Sequence, residues 1–269
     1  MATRVPQTLF RDTDAVSCST MDTYRVVHWG AAVGVGVSNS SYVHLEAIGK
    51  ANSALFPYCV ANELVSAEIG RRLRLPVPPC CVAIDSGGQP RFLSLNFNLT
   101  GNALPPVIPA NFAATFANDL ADILIFDIFI GNPDRHTANL AADYGLQPRY
   151  TLFDHSHVLL GGSGITGIPR LKAMQNSLVV DGKPPGVGGQ HCLIKEIKDD
   201  RAFRKMIERV ESLEEYFLRD VVDSMADYGL RPDEVDELAD FLLHRRSMVR
   251  QMIAGEKAAF PGITQWSLL

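Results

Sequence analysis

A proline-rich break at residues 100–109 constrains this chain more than any other feature. Gly101, Pro105, Pro106 and Pro109 deny that stretch a helix interior or a central strand. The patterning differs on its two sides. Before it, short runs alternate apolar and polar residues between glycine- and serine-bearing turns; after it, apolar residues recur at helical spacing. This predicts an α+β, bilobed fold, with a β-rich N-terminal lobe over 1–103 and a mainly helical C-terminal lobe over 104–269.

Within the first lobe, residues 24–29 and 42–48 predict two strands joined through a glycine-containing turn at 30–36. Val60, Leu64, Ala67, Ile69 and Leu73 then mark a helix over 60–73, which Pro76, Pro78 and Pro79 must end. A hairpin follows, with strands at 81–85 and 90–97 and a turn at 86–89. In the second lobe the spacing predicts one helix over 111–129, with Asn111 as N-cap, a short strand at 150–153, and two helical patterns within 201–254. The eight glycines of residues 155–190 predict a mobile excursion.

A formal net charge of −5 argues against capture of nucleic acid or an anionic membrane surface. No apolar run reaches the roughly 18–20 residues that span a bilayer, and residues 1–14 lack a secretory hydrophobic centre. A cytoplasmic protein is therefore expected. Its five cysteines (Cys18, Cys59, Cys80, Cys81, Cys192) are odd in number and lack CxxC spacing, which reads as free thiols.

The chemistry-bearing stretch is Gly131-Asn132-Pro133-Asp134-Arg135-His136-Thr137-Ala138-Asn139, followed by Asp154 after an apolar strand. A carboxylate and an amide five residues apart, with a second carboxylate at a strand end, suit phosphoryl transfer. Asp134 would orient the attacking hydroxyl, and Asn139 with Asp154 would supply the hard oxygen ligands that Mg²⁺ takes. His136 reads as a brace for the loop, and Arg135 as an arginine that pairs with a carboxylate or approaches a phosphate, or equally as a solvated one. Gly34 and Gly36 between two strands suggest backbone donors over phosphates, although no complete GxGxxG or GxxxxGK[ST] occurs. A rival reading makes Asp134, His136, Asp154, His155 and His157 the ligands of a metallohydrolase.

The order Asp134-Arg135-His136-x-x-Asn139 resembles the catalytic loop shared by phosphatidylinositol-kinase-like enzymes and HipA-like kinases. Asn62-Glu63-Leu64 and Leu73-Arg74-Leu75-Pro76-Val77-Pro78 resemble the helix and proline-ended turn of small bacterial HipA-like kinase domains. The resemblance covers about residues 24–160. It implies a kinase using ATP and Mg²⁺, with Glu63 as the partner of an ATP-binding lysine. It also implies a protein Ser/Thr hydroxyl as acceptor ahead of a lipid or small-molecule alcohol. Residues 42–47, the expected lysine strand, contain no lysine. Lys50, just beyond, is the nearest candidate, so a pseudokinase that only binds a protein partner is the other alternative. Asp154-His155-Ser156 stands where many kinases carry Asp-Phe-Gly.

Overall fold

The computed structural model describes residues 24, 26–34, 40–98, 104–183 and 189–267. It is a mixed α/β structure with small sheets and a helical C-terminal part. Strands β1 (Val26–Ala32) and β2 (Ser41–Leu45) form an antiparallel hairpin. A separate antiparallel sheet has the order β3 (Ala47–Ala51), β5 (Pro90–Leu95), β4 (Cys80–Ile84).

The expected strand over 42–48 is thus two strands. They part at Glu46, whose carbonyl accepts a hydrogen bond from the Asn96 N–H at 2.9 Å. The second runs on to Ala51 because it pairs with β5, Lys50 lying opposite Phe92. This places Lys50 on a strand, directly before the glutamate helix, and corrects the reading of a strand without lysine. The turn between β4 and β5 is as expected. Asp85 Oδ1 accepts from the N–H groups of Gly87 (2.8 Å) and Gln89 (2.9 Å).

Helix α1 (Cys59–Arg72) begins where Asn52 Oδ1 accepts the Val60 N–H at 2.9 Å, a remote cap for an orphan donor. One side of α1 forms a small cluster with the sheet through Val60, Ala67 and Phe92. The other side enters the main core through Ala61, Val65, Ile69 and Leu73.

The helix expected over 111–129 is two helices, α2 (Pro109–Thr115) and α3 (Leu120–Phe129), broken at residues 116–119. Asn111 is not the N-cap. Ile108 is, because Pro109 has the fixed φ suited to the first helical position. All ten residues of α3 are buried, so it forms the spine of the core. The hairpin of β6 (Leu140–Asp143) and β7 (Arg149–Leu152) follows. Phe112 and Phe116 pack on Tyr150 of β7 with ring centroids 5.4 and 5.1 Å apart, and Leu152 N–H bonds Pro76 O at 2.9 Å. These contacts fix the end of β7.

Residues 155–183 are packed where a mobile excursion is expected over 155–190, residues 184–188 of that stretch lying outside the described residues. Val158, Leu159, Leu160, Leu171, Met174 and residues 178–180 are buried, and helix α4 (Ile168–Met174) lies within it. Its glycines permit close approach. A Cβ on Gly161, at φ +85°, would sit 2.4 Å from Arg170 Cδ, and one on Gly162 would sit 2.7 Å from His157 Nδ1. Buried Arg170 in turn donates to the carbonyls of Leu159 (3.1 Å) and His157 (3.0 Å).

The rest is helical: α5 (Phe203–Glu211), α6 (Glu215–Asp223) and α7 (Pro232–Gly255). Arg245 of α7 is wholly buried and donates to the carbonyls of Ile128, Phe129 (3.1 Å), Met174 (2.6 Å) and Ser177 (2.9 Å). It thereby satisfies orphan acceptors at the end of α3, immediately before the loop that carries Asp134.

Candidate active site

Lys50 of β3, Glu63 of α1 and Asp154 beyond β7 meet in one ionic cluster. Lys50 Nζ lies 2.5 Å from Glu63 Oε1 and 2.7 Å from Asp154 Oδ1. Burial opposes the lysine charge, but the two carboxylates hold its pKa above the ordinary value. Burial likewise pushes Glu63 up against the pull of Lys50. Asp154, also partly buried, is held below the usual carboxylate range by Lys50 and by the Ser156 hydroxyl, which donates to its Oδ1 at 3.0 Å.

Two backbone features set this cluster. Asp154 has φ +61°, a left-handed conformation that costs a non-glycine residue about 1–3 kcal/mol and recurs at functional sites. The next residue returns its N–H to Glu63 Oε1 at 3.1 Å. Beside Glu63, fully buried Asn62 binds the same segment from the other side. Its Nδ2 donates to Ser156 O (2.8 Å) and Gly161 O (3.1 Å), and its Oδ1 accepts from Leu160 N (3.1 Å). Helix α1 is therefore tied by side-chain bonds to the chain on both sides of residue 157.

The loop at 131–139 is held by a buried network. Arg135 donates to Asp127 through Nε (2.8 Å) and Nη2 (3.1 Å), to Asn139 O (2.5 Å), to Phe153 O (3.1 Å) and to His155 Nε2 (2.9 Å). Since His155 Nε2 accepts, its proton is on Nδ1, facing Glu63 Oε2 at 3.9 Å. Burial first, and then Arg135, drive the His155 pKa down to about 3, so the ring is neutral. His191 accepts the Leu193 N–H on Nδ1 (3.1 Å) and so donates from Nε2 to Asp127 (3.0 Å). Asn132 Nδ2 completes the set at 2.6 Å from Asp127. Asp127, although buried, is held far below its usual range by Arg135 and His191.

On this frame Asp134 and Asn139 face each other. Asn132 Oδ1 accepts the Asp134 N–H (2.9 Å), and Asn139 Nδ2 donates to Asp134 O (3.0 Å) and lies 3.4 Å from Asp134 Oδ2. The Asp134 carboxylate is a third exposed and Asn139 is buried. His136, expected as the brace, is exposed; it accepts the Ala138 N–H at 3.2 Å and its Nε2 lies 3.9 Å from Asp134 Oδ2. The principal brace is Arg135, which joins the loop to the residue preceding Asp154. Asp127 and His191 went unread: an acid within an apolar run was the trace of the first, and the second carries no motif.

A cleft of about 370 Å³ opens over Lys50, Glu63 and Asp154. Its walls include Ile48, Ala67, Val77, Phe92, Leu152 and Phe153. Ala138 of the loop also lines it. Such a largely apolar slot with charged groups in its lining suits a flat heterocycle bearing phosphates. Gly34 sits at φ +72° between β1 and β2, outside the cleft lining, and Gly36 lies outside the described residues. Among the described residues no three His, Cys, Asp or Glu side chains have an arrangement that could hold a metal ion. The metallohydrolase set is in fact dispersed: His155 is bound to Arg135 and His157 packs on Phe56 at 5.4 Å.

No family model and no curated protein matches the chain. Among solved structures, that of the proinflammatory kinase CtkA from Helicobacter pylori matches with a TM-score of 0.53 and 12% identity, covering 85% of this chain and 96% of that one. This chain is similar to that kinase in fold. HipA of Shewanella oneidensis MR-1, from a toxin–antitoxin complex with HipB and operator DNA, matches with a TM-score of 0.44 and 11% identity, over 80% of this chain and 60% of that one. The first of these, a kinase, shares over most of its length the kind of fold that the Asp134-to-Asn139 loop leads one to expect. Among the described residues, no helix is long and apolar enough to cross a membrane.

Proposed function

We propose that the protein is a cytoplasmic, bilobed kinase that transfers the γ-phosphoryl group of ATP to a hydroxyl acceptor. The supporting observation is the Lys50–Glu63–Asp154 cluster at the floor of an apolar cleft. Residues 1–103 form the nucleotide-covering lobe and 104–269 the catalytic lobe. The acceptor is a protein serine or threonine, a reading that rests on the HipA-like resemblance. Lys50 on β3 removes the feature that favoured a pseudokinase.

In this reading Lys50 Nζ contacts phosphate oxygens while Glu63 holds the ammonium in place. Asp134 accepts the acceptor's hydrogen bond and aligns its oxygen. Two carboxylates face one ammonium in the cluster, and an ionised Asp154 with the amide oxygen of Asn139 offers hard oxygen donors, so the site suits Mg²⁺. When bound, the ion would offset charge on the phosphates. The buried Arg135 network keeps Asn139 and Asp154 in register without touching substrate.

Asp154→Asn tests the metal role, because asparagine tolerates the left-handed backbone of this position. ATP·Mg²⁺ at about 100 times its Kd stabilises a protein by about 2.7 kcal/mol, or roughly 5–10 °C at this size. The variant is expected to lose the Mg²⁺-dependent part of that shift and keep the metal-free part. Equal Mg²⁺-dependent shifts in variant and parent reject Asp154 as a ligand.

A further inference from the structure

The turn that ends α1 and the turn between α5 and α6 enclose a second cleft of about 300 Å³, lined by Arg72, Arg74, Arg209, Ser212 and Glu214 among others. None of the residues assigned to the nucleotide cleft borders it. Three arginines and one carboxylate residue are among those that line it, on a chain whose net charge is −5.

Arg74 is the informative residue. The helix closes with Leu75 N–H bonded to Gly70 O (2.9 Å) and Arg74 N–H to Arg71 O (3.0 Å), which leaves Arg74 at φ +62°. Glycine is the usual occupant of that position, because a side chain there is strained. An arginine is present instead, exposed, and its guanidinium makes no hydrogen bond or ion pair among the described residues. Strain kept without a contact to offset it points to a contact made with something else.

The neighbouring arginines are loosely committed. Arg209 reaches only Asp122 Oδ2, at 3.4 Å, and burial pushes that carboxyl up to about 6 despite Arg209 and Lys205 nearby. Arg72 pairs with Glu214 at 2.5 Å and lies over the Phe217 ring at 5.4 Å. Its pair with Glu214 is largely exposed and so of small worth to the fold. The Ser212 hydroxyl is turned to Arg209 O at 2.9 Å.

We propose that this cleft is an anion site for a phosphate monoester, either free or carried on a side chain, held by the guanidinium groups of Arg72, Arg74 and Arg209. Three arginines lining one polar cleft supply forked donors and a local positive charge suited to a phosphate. The site would join the C-terminal end of α1 to the α5–α6 turn.

The test measures binding of inorganic phosphate and of phosphoserine by calorimetry to the parent, Arg74→Gly, Arg209→Gln and Lys50→Met. Each of the first two variants is expected to bind phosphate roughly tenfold more weakly, the loss of one charge-assisted contact. Arg74→Gly should at the same time melt higher than the parent without phosphate, because the strain is gone. Tighter binding of phosphoserine than of phosphate would identify a protein-borne source; equal binding would identify the free anion. Parent-like binding by both arginine variants overturns the proposal, and loss only in Lys50→Met would place the anion in the nucleotide cleft instead. Absence of binding to the parent at tens of millimolar phosphate also overturns it.

Discussion

Asp134→Asn is expected to lower the rate of phosphoryl transfer by about 10²–10⁴-fold, the usual worth of a positioned acid–base group. The substitution is isosteric. The backbone N–H and carbonyl of Asp134 are the groups that bind Asn132 and Asn139, and they are unchanged by it. Its carboxylate is a third exposed, so stability should move by no more than about 0.5 kcal/mol. ATP affinity should also hold, because the Lys50–Glu63–Asp154 contacts do not involve it. Incorporation of labelled γ-phosphate into the protein or an added acceptor reads the rate. A parent-like rate in a folded variant would remove Asp134 from catalysis.

Arg135→Met should have the largest effect on stability, a loss of about 3–5 kcal/mol, because it strands the fully buried Asp127 without its guanidinium partner. It also removes the donors of Asn139 O and Phe153 O, so the loop loses its link to Asp154. At this size the melting temperature should fall by roughly 6–20 °C. A drop of under 2 °C would show that the network does not hold the loop.

The same network sets the acid limit of the fold. His155, with its pKa near 3, stays neutral in the folded chain and His191 is shifted down by burial, while unfolded histidines take up protons below about pH 6.5. The unfolded state then binds more protons, so stability declines as the pH falls from about 6.5 toward 3. Asp127 is depressed in the folded chain, so its contribution is present above the unfolded value of about 3.9 and is lost only below it. Urea unfolding midpoints should therefore fall between pH 7 and 4, opposed in part by Asp122, whose carboxyl, raised by burial to about 6, takes up a proton in the folded chain over the same range. A flat profile contradicts neutral buried rings.

Local spacing made part of this site legible. Asp134, Asn139 and Asp154 lie on one loop and one strand end, where five-residue and strand-end positions directly set which groups can converge. Lys50 is legible as the candidate lysine, but its place on a strand is not, because the limits of β3 are set by pairing with β5, some 40 residues on, and not by anything in residues 42–51. Asp127 reads as an isolated acid until Arg135 and His191 fold against it, and His191 is 64 residues away. The break between α2 and α3 was hidden because phenylalanine and leucine spacing carries across residues 116–119. In residues 155–183 glycine was read for its entropy, whereas Gly161 and Gly162 are there to admit Arg170 and His157.

The central claim is that the cleft over Lys50 holds the phosphates of ATP, and calorimetric titration of ATP·Mg²⁺ into the parent and Lys50→Met tests it most directly. Lys50 is only partly buried and its neighbours are themselves hydrogen-bonded, so the variant should remain folded. Saturable binding to the parent and binding at least about tenfold weaker to Lys50→Met is the predicted result, the loss of one charged contact to phosphate. No binding to the parent at millimolar ATP·Mg²⁺, or equal affinity in both proteins, would contradict the account.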